Sequence, residues 1–474
     1  MKILLIQPPC SHLFYGSGKD AVVQMPLGLP SLSAYLKREG HEAFIIDLNI
    51  KMYLDAKEAD KGLWHEKNFY LWSWSSDLFF NEILPRLKDI QEKWIDIIIK
   101  SSFKIIGFYV SSASQWMALS LARKLKERNN GTAIIFGGPE CFKDKAEEFL
   151  RTGYVDAVVT GEGEATLLEL VNSCEKTGQI KHCPGAFFIE NDEIIYGGPR
   201  ELIKDLDTLP YPDFSDFIND YKALFGDKIL LSISWLRGCT HRCAFCYESR
   251  FWGPARLRSP ESICREFIFQ EERYNVKGFY KADSIIAFSE KLLSATCDLL
   301  IEKKIDVMWG SQARPDKYMT LELLQKLYKA GCRWLAYGIE SGSQSVVDRM
   351  NKGFQVKAVE NVIINTNRVG IKPSVTIMAG SPGETLIDFM RTVWFILKNR
   401  KFIWSIGGST AAVLPMSDWY LRPEEYGIVI DKDAKDGRYY RFWTTKYFMD
   451  NHHVRAIKQT FLENIYHCFF SGKI

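Results

Sequence analysis

The 474-residue chain contains two successive series of short β-branched runs that alternate with amphipathic helical segments. Such alternation constrains the fold strongly, because parallel strands need crossover helices between them. Over the first 200 residues it predicts a doubly wound parallel sheet of the Rossmann-like type. From residue 228 about six further strand–helix units predict a partial or full (β/α) barrel, with chemistry at the carboxyl ends of its strands.

The boundaries follow from changes in this pattern. We predict an α/β domain at 1–200 and a linker at 201–227, where Pro210 and Pro212 interrupt the periodicity. A barrel follows at 228–408, and an aromatic-rich subdomain that caps the barrel or forms a substrate pocket occupies 409–474.

Composition excludes several classes of function. With 61 basic and 58 acidic residues the net charge is only +3, so we expect no nucleic-acid partner. No apolar run reaches about 18 residues, and we expect no transmembrane span. Eleven cysteines, an odd number, without an opening secretory signal favour a reducing compartment, and we predict a cytoplasmic protein.

The strongest motif follows the first strand of the predicted barrel. Residues 237–247 read RGCTHRCAFCY, which places Cys239, Cys243 and Cys246 in a C-x3-C-x2-C spacing. Thiolates select iron–sulfur clusters, zinc or copper(I), and three of them can hold three corners of a cubane while one iron stays open to a substrate. A zinc site is the alternative, with His241 as a fourth ligand.

At this triplet the sequence resembles the radical SAM superfamily, in which three cysteines bind a [4Fe–4S] cluster and S-adenosylmethionine chelates the open iron. Three further segments match recurrent family segments at predicted strand ends, namely 311–314, 338–342 and 380–385. The resemblance implies cofactor contacts at Phe245, Tyr247, Asp283, Ser311, Arg314, Glu340, Ser341, Gly380 and Pro382. The sequence departs from the family at Ala282-Asp283, where relatives carry two aspartates, and this puts the first carboxylate role in doubt.

The N-terminal half resembles the cobalamin-binding domain that precedes the barrel in one large radical SAM class. Pro8-Pro9, Gly137-Gly138-Pro139 and the 161–164 segment (GEGE) carry this resemblance, and it implies cobalamin contacts at Ser111, Ser112, Gly137, Gly138, Gly161 and Glu162. The D-x-H-x-x-G motif that supplies a cobalt-ligating histidine elsewhere is missing. The domain therefore either binds cobalamin without that histidine or serves a structural or substrate-binding role.

The resemblance implies an oxygen-sensitive enzyme that cleaves S-adenosylmethionine to a 5′-deoxyadenosyl radical and transfers a methyl group through cobalamin to an unactivated carbon. Radical cyclisation, isomerisation, dehydration or carbon–carbon coupling without methyl transfer is the alternative, and a non-catalytic binding module is a third hypothesis. The implied partners are a flavodoxin or ferredoxin as electron donor and a small-molecule or natural-product substrate. Aromatic residues of the tail suggest that this substrate is planar or hydrophobic: Trp404, Trp419, Tyr439, Tyr440 and Trp443.

Overall fold

The structure of the chain is a computed structural model that describes residues 1–11, 23–286, 289–430, 443–446 and 451–471. The chain forms two compact units. Unit 1 contains the described residues up to Lys204 together with Thr208–Ile229, and unit 2 contains Asp205–Asp207 and the described residues from Leu230 onward.

Unit 1 is built on a seven-stranded sheet in the order β3-β1-β4-β5-β6-β7-β8. Neighbouring strands are parallel as far as β6, and β7 and β8 add antiparallel strands at one edge. The strands of this unit, with the two-residue β2, are β1 (Lys2–Gln7), β2 (Val23–Gln24), β3 (Glu42–Asp47), β4 (Ile105–Tyr109), β5 (Ala133–Gly137), β6 (Ala157–Val159), β7 (Ala186–Glu190) and β8 (Glu193–Tyr196).

Helices cover the sheet of unit 1, and the segment 63–99, which is rich in Trp and Phe, is part of its core. Trp64, Trp72 and Phe79 are buried there, with ring centroids 5.7 and 6.0 Å apart in succession. The helices are α1 (Gly28–Arg38), α2 (Leu48–Asp55), α3 (Glu58–Lys61), α4 (Phe69–Ser73), α5 (Ser76–Leu78), a π-helix (Phe79–Ile83), α6 (Leu84–Lys100), α7 (Gln115–Arg128), α8 (Lys143–Arg151), α9 (Glu164–Thr177) and α10 (Ile218–Phe225), with 3-10 turns at Gly62–Trp64, Glu66–Asn68 and Gly226–Lys228. A further 3-10 turn, Leu206–Thr208, spans the boundary between the two units.

Unit 2 contains six parallel strands that follow one another in chain order, each paired with the next. The order is open, and the strands form a half-barrel, so the partial form of the predicted barrel is the one observed. The α/β architecture predicted from the sequence is confirmed. The six strands are β9 (Ile229–Ile233), β12 (Gly278–Lys281), β13 (Met308–Ala313), β14 (Cys332–Glu340), β15 (Lys372–Ala379) and β16 (Ser405–Thr410).

The connecting helices of unit 2 have strong local start signals. Ser259 caps the next helix through its side chain and is followed by proline, and Thr385 forms a capping box with Asp388. The remaining elements are β10 (Leu236–Arg237), α11 (Glu248–Phe251), β11 (Arg256–Leu257), α12 (Pro260–Tyr274), α13 (Glu290–Glu302), α14 (Leu321–Lys329), α15 (Gln344–Arg349), α16 (Val356–Arg368), α17 (Leu386–Asn399), α18 (Asp418–Leu421), a 3-10 turn (Pro423–Tyr426), β17 (Ile428–Val429), β18 (Thr444–Thr445) and α19 (His452–Phe469).

The aromatic tail supplies core rather than an open pocket where the structure describes it. Trp419 and Trp443 are buried in a cluster with Val413 and with Ala244 of the cysteine segment. Their ring centroids lie 6.4 Å apart. Tyr439 and Tyr440, which the sequence also suggested as substrate contacts, lie outside the described residues.

Candidate functional site

The cysteine segment begins at the carboxyl end of the first half-barrel strand. The sequence pattern predicts one strand over Leu230–Leu236. The structure has two elements there, β9 and β10, and β10 forms a short antiparallel pair with β11. Gly238 follows with a φ of +83°, and a Cβ there would lie 2.7 Å from the carbonyl oxygen of Gly253. The turn into the cysteines therefore requires glycine at this position.

Cys239, Cys243 and Cys246 are free and partly buried. Burial raises the pKa of the Cys246 thiol to about 12 and also raises that of Cys239. A positively charged metal centre would offset this cost of holding thiolates. Among the described residues no three His, Cys, Asp or Glu side chains are close enough to hold a single metal ion, whereas a cubane takes each thiolate on a different iron.

Backbone hydrogen bonds hold the cysteine segment in place. The amide of Ala244 donates to the carbonyl of Met350 at 2.9 Å, and the amide of Trp419 donates to the carbonyl of Ala244 at 3.1 Å. The side-chain amide of Asn351 donates to the carbonyl of Arg242 at 2.8 Å. The segment is thus anchored between the turn after α15 and the tail, which gives the buried tail a role in positioning the cysteines.

Arg314 lies beside the cysteines at the end of β13. Its guanidinium is buried, contacts the sulfur of Cys243 at 3.5 Å and pairs with Asp316 at 3.3 Å. It also donates to the backbone carbonyl of Lys352. This arrangement brings a fixed positive charge to the motif.

Glu340 ends β14 at an irregular point of the sheet. Its φ of +63° is unusual for a residue with a side chain, and the pairing with β15 shifts register between Gly338 and Glu340. Its carboxylate accepts from the buried ammonium of Lys352 at 3.2 Å. Lys352 also lies over the rings of Phe245 and Phe354, at 5.4 and 5.8 Å from their centroids.

Sequence reasoning missed Lys352. Within its own stretch of sequence, Lys352 is only a basic residue in the turn after α15. It lies close to Phe245 and Glu340 because the fold brings together residues that are more than ten positions apart in the sequence. The structure therefore joins three of the predicted positions, Arg314, Glu340 and Phe245, through one unpredicted lysine.

Asp283 lies in the loop after β12, but its carboxylate faces backbone. It accepts from the Ser234 hydroxyl at 2.7 Å and from the amides of Trp235 and Leu236 at 2.8 and 3.2 Å. The fully buried ammonium of Lys281 lies 2.6 Å away. These four donors occupy the carboxylate that the resemblance assigned to the cofactor, and they hold the junction between β9 and β10.

The other predicted positions of unit 2 lie at strand ends or helix starts. The Ser341 hydroxyl bonds Thr392 at 2.9 Å and Ser311 donates to the Gln312 carbonyl at 2.8 Å, both buried. Gly380 has a φ of +73°, and a Cβ there would lie 2.1 Å from the Arg455 side chain. Pro382 is buried near it, and Tyr247 is half-buried, 5.9 Å from Phe251 between ring centroids.

The carboxyl edge of the unit 1 sheet brings its own predicted loops together. The Val110 amide donates to the Gly137 carbonyl at 2.7 Å, and a Cβ on Gly138 would lie 2.6 Å from the Val110 carbonyl. The amide of Ser111 donates to Ser114 at 2.9 Å, and Ser112 accepts from the Gln115 side chain at 3.3 Å.

Gly161 and Glu162 complete the loops at this edge. Gly161 has a φ of +72° with open space beside it. Glu162 is buried and accepts from the Ile203 amide at 2.8 Å, so its carboxylate is used within the unit.

The same edge contains polar groups that sequence reasoning missed. The side-chain oxygen of Gln115 and the indole nitrogen of Trp116 are buried without a hydrogen-bond partner in the described structure. Burial raises the pKa of the neighbouring Glu140 carboxyl to about 7, and Lys145 opposes the shift. Buried polar groups without partners are uncommon in native proteins, and water, an ion or a ligand atom can satisfy them.

Comparison with known proteins finds a matching family model and several relatives. Residues 233–396 match the model of the radical SAM superfamily. The chain is 26% identical over 401 residues to an uncharacterized methyltransferase of Pyrococcus horikoshii, covering 84% of this chain and 78% of the relative. It is 24% identical over 355 residues to an anaerobic magnesium-protoporphyrin IX monomethyl ester cyclase of Synechocystis, covering 74% of this chain and 64% of the cyclase.

Two solved structures share the fold over both units. TsrM of Kitasatospora setae, a radical S-adenosylmethionine methyltransferase solved with cobalamin and a [4Fe–4S] cluster, superposes with a TM-score of 0.66 at 15% identity, covering 93% of this chain and 81% of TsrM. It has also been solved with tryptophan substrate and an S-adenosylmethionine analogue. OxsB, a cobalamin-dependent S-adenosylmethionine radical enzyme, superposes with a TM-score of 0.73 at 16% identity, covering 98% of this chain and 66% of OxsB.

Proposed function

Because residues 233–396 match the model of the radical SAM superfamily, we propose that the chain is a cobalamin-dependent radical methyltransferase acting on an unactivated carbon of a small molecule. The observation that carries the proposal is the cysteine triplet at the carboxyl edge of a half-barrel, in a chain whose other unit is a doubly wound sheet with glycine-rich loops at its own carboxyl edge. The methyltransferase names of the relatives support the reaction class.

Cys239, Cys243 and Cys246 hold the cluster in this proposal. Three thiolates suit iron as ligands. The high pKa of the Cys246 thiol means that a buried thiolate is unfavourable there, and binding to iron offsets this cost. When bound, the cluster supplies the electron that cleaves S-adenosylmethionine reductively to methionine and a 5′-deoxyadenosyl radical, with a low-potential flavodoxin or ferredoxin as its donor. The hydrogen bonds of the cysteine segment with Met350, Asn351 and Trp419 hold the thiolates in place near the strand ends.

The charged residues at these strand ends bind and orient S-adenosylmethionine. The guanidinium of Arg314 suits the methionyl carboxylate, and the carboxylate of Glu340 suits the ammonium or the ribose hydroxyls. Lys352 holds Glu340 in place and lies over Phe245, whose ring offers a stacking face for adenine. The buried Trp419 behind Phe245, with ring centroids 5.8 Å apart, helps to exclude water from this region.

The carboxyl edge of unit 1 holds cobalamin in this proposal. Its loops offer a close-packed turn at Gly138, open space beside Gly161 and unpartnered polar atoms on Gln115 and Trp116, which fit a large ligand with many amide groups. When bound, cobalamin supplies the carrier that passes the methyl group on. Because the chain lacks the D-x-H-x-x-G motif, we propose that it binds cobalamin without the cobalt-ligating histidine that this motif supplies elsewhere.

Anaerobic reconstitution tests the proposal. We expect about four iron atoms per chain, 5′-deoxyadenosine on reduction with dithionite and S-adenosylmethionine, and cobalamin retained through gel filtration. Methyl-labelled S-adenosylmethionine should label the bound cobalamin. Cys243→Ala should abolish the iron content and the deoxyadenosine. Deoxyadenosine formed without any cobalamin retention or methyl transfer would instead support radical chemistry of the cyclase or isomerase kind.

A matched pair of glycine variants isolates the cobalamin edge. Gly161 follows β6 and Gly153 precedes it, with φ values of +72° and +74° and open space at both. Gly161→Leu and Gly153→Leu thus carry the same backbone strain at opposite ends of one strand. We expect only Gly161→Leu to lose cobalamin retention, by about tenfold or more. Equal retention in both variants would contradict the assignment of this edge.

A further inference from the structure

The strands of the half-barrel have one face against the helices and another face turned away from them. Phe279 packs on Phe267 of α12, with ring centroids 4.9 Å apart, and the Tyr337 hydroxyl bonds Thr366 of α16 at 2.8 Å. The side chains next to Phe279 and Tyr337 point to the opposite face, because the side-chain period of a strand is two. We call it the concave face. The strand register places on it the even-numbered residues of β12, β13, β14 from residue 334, and β15, and the odd-numbered residues of β16.

The concave face is open. Gln312 and Gly407 are exposed, and Ala336 and Thr376 between them are half-buried. A Cβ on Gly407 would meet only open space. The opposite face of the sheet is covered by helices, and none of the helices that the structure describes is long and apolar enough to cross a membrane. The concave face therefore offers room for a small molecule on the strands themselves.

The carboxyl end of this face adjoins the residues that the proposed function assigns to S-adenosylmethionine. A Cβ on Gly338 would lie 2.8 Å from a Glu340 carboxylate oxygen, 3.4 Å from the Lys352 ammonium and 3.7 Å from the Thr376 hydroxyl. Gln312 precedes Arg314 by two residues on the neighbouring strand. A molecule that lies on the concave face is accordingly next to the group that binds the cofactor.

The side chains of the concave face are polar but almost free of charge. Its charged residues are Glu340, at the carboxyl end and paired with Lys352, and Lys372, at the amino end and 3.9 Å from the centroid of the Trp404 ring. The positions between them offer hydroxyl groups, an amide and an indole: Tyr280, Gln312, Trp334, Ser374, Thr376 and Ser409.

These groups pair with neutral donors and acceptors but not with ions. A hydroxyl both donates and accepts a hydrogen bond, and so does the Gln312 amide. Burial raises the pKa of the Tyr280 phenol, and a hydrogen bond with Gln312 opposes that shift. A ligand charge placed here would lose water and gain no counter-charge, which is costly.

We infer that the methyl acceptor lies on the concave face, and that the part of it in contact with the strands is uncharged and carries hydroxyl or amide groups. This inference rests on the proposed function, because it takes the bound molecule to be the substrate of that reaction. Trp334 adds a flat contact, and its indole is held against Gly310, where a Cβ would lie 2.0 Å from the ring.

Saturation-transfer NMR on the reconstituted enzyme with bound S-adenosylmethionine tests the inference with three probes of one shape. At neutral pH benzamide is uncharged, benzoate is an anion and benzamidine is a cation. We expect benzamide to bind about tenfold or more tightly than either ion, because the face offers hydrogen bonds and no counter-charge.

Two variants and a control locate the binding. Gln312→Glu places a carboxylate on the face and should reverse the preference, so that benzamidine binds more tightly than benzamide. Gly407→Leu should weaken benzamide binding by about tenfold or more, because the leucine fills the open space. Gly62→Leu is the matched control, since Gly62 is also exposed with open space beside it but lies in unit 1.

Each outcome decides the inference. A preference for benzamide that Gln312→Glu reverses and Gly407→Leu removes, with the Gly62 variant unchanged, supports it. Equal binding of the three probes, no binding of benzamide, or benzamide binding that Gly407→Leu leaves intact overturns it.

Failure of the proposed function has a different signature. It is measured without any probe, as 5′-deoxyadenosine formation and cobalamin methylation by the unaltered enzyme. Normal deoxyadenosine formation with no preference for benzamide refutes the assignment of the concave face alone. A preference for benzamide in a chain that forms no deoxyadenosine refutes the proposed reaction, and with it the identification of the bound molecule as a methyl acceptor.

Discussion

Asp283 is a positioning residue in this structure. Its carboxylate accepts from the Ser234 hydroxyl and the Trp235 and Leu236 amides, and pairs with Lys281, which is fully buried. Lys281 also donates to the Ile285 carbonyl at 2.6 Å. Burial lowers the pKa of Lys281 and Asp283 opposes that shift, so each charge depends on the other.

Removing one partner of this pair should therefore be costly. We expect Asp283→Asn to lower the free energy of unfolding of unit 2 by about 3 kcal/mol, because a buried ammonium loses its counter-charge and a neutral amide oxygen accepts less strongly from the two backbone amides than a carboxylate does. Lys281→Met/Asp283→Asn should recover part of the loss. Urea unfolding measures both, and Asp306→Asn, at the exposed Lys277–Asp306 pair in the same sheet, should change little. Equal stability of the Asp283 and Asp306 variants would contradict this role.

The sequence predicts the location of these residues better than the contacts of their side chains. The cysteine triplet is predicted from its local spacing, and Arg314 and Glu340 from the segments that resemble the family. The structure places Arg314 and Glu340 at the ends of β13 and β14. The contacts of Asp283 with Ser234 and Lys352 with Glu340 depend on the mutual placement of separate strands and turns. Local sequence patterns contain no information on that placement. The contacts of the Asp283 carboxylate with backbone amides and the ion pair of Lys352 with Glu340 were therefore not predicted.

At the scale of elements, a buried ion pair connects α19 to the turn that precedes α17. The Lys458 ammonium lies 2.7 Å from a Glu384 carboxylate oxygen, which also accepts from the Gly380 amide at 3.0 Å. Burial raises the pKa of the Glu384 carboxyl, and Lys458 opposes the shift. The tail helix thus helps to hold the turn that contains Gly380 and Pro382.

The contribution of this pair should depend on pH. A carboxyl whose pKa is raised on folding costs least stability when it is protonated, and the cost grows as pH rises through its folded pKa. Without Lys458 the Glu384 pKa rises further, so Lys458→Met should destabilise unit 2 by about 3 kcal/mol at pH 7.5 and by much less at pH 5. Urea unfolding at the two pH values measures this.

A double variant provides the control for this pair. Glu384→Gln/Lys458→Met removes the titrating group, and the difference between the two pH values should disappear. A Lys458→Met penalty that is the same at pH 5 and pH 7.5 would show that lost packing, rather than the uncompensated carboxylate, causes the destabilisation.

Elements were predictable where their signals are local. The sequence predicts a helix over Pro260–Tyr274, and α12 has these bounds because Ser259 caps it and Pro260 begins it. The two-part strand β9–β10 was predicted as one, because the interruption depends on the distant Asp283. The short elements of the tail were not predicted, since their stability comes from the cluster around Trp419 and Trp443 rather than from periodicity.

At the scale of the whole molecule, the segment 208–229 is part of unit 1. The sequence pattern predicts a linker over 201–227, which includes most of this segment, because Pro210, Pro212 and several aspartates are typical of linker composition. In the structure those aspartates are partners: Lys37 pairs with Asp213 at 2.8 Å, and Asp216 accepts from the Ile45 amide at 2.9 Å. Composition alone does not distinguish a solvated carboxylate from one that binds the domain before it.

Hydrogen exchange on the full chain tests this assignment. The Tyr221 hydroxyl donates to the buried Asp47 carboxylate at 2.9 Å, and Lys51 pairs with Asp220 at 2.8 Å. We therefore expect the amides of α10 to exchange as slowly as those of α1, not as fast as those of an exposed linker. Tyr221→Phe should speed exchange in α10 by about tenfold, because a buried acceptor loses its donor, and should leave β14 of unit 2 unchanged.

Tyr196→Phe is the control for this measurement, because Tyr196 is 43% exposed on β8 of the same unit. Its exchange pattern should match that of the unaltered chain. Fast exchange of the α10 amides in the unaltered chain would support the predicted linker and place the end of unit 1 near residue 200. Slow exchange that Tyr221→Phe accelerates would place it at residue 229, where β9 begins and the cysteine segment follows within ten residues. In that case the segment 208–229, up to the start of β9, is packed within unit 1.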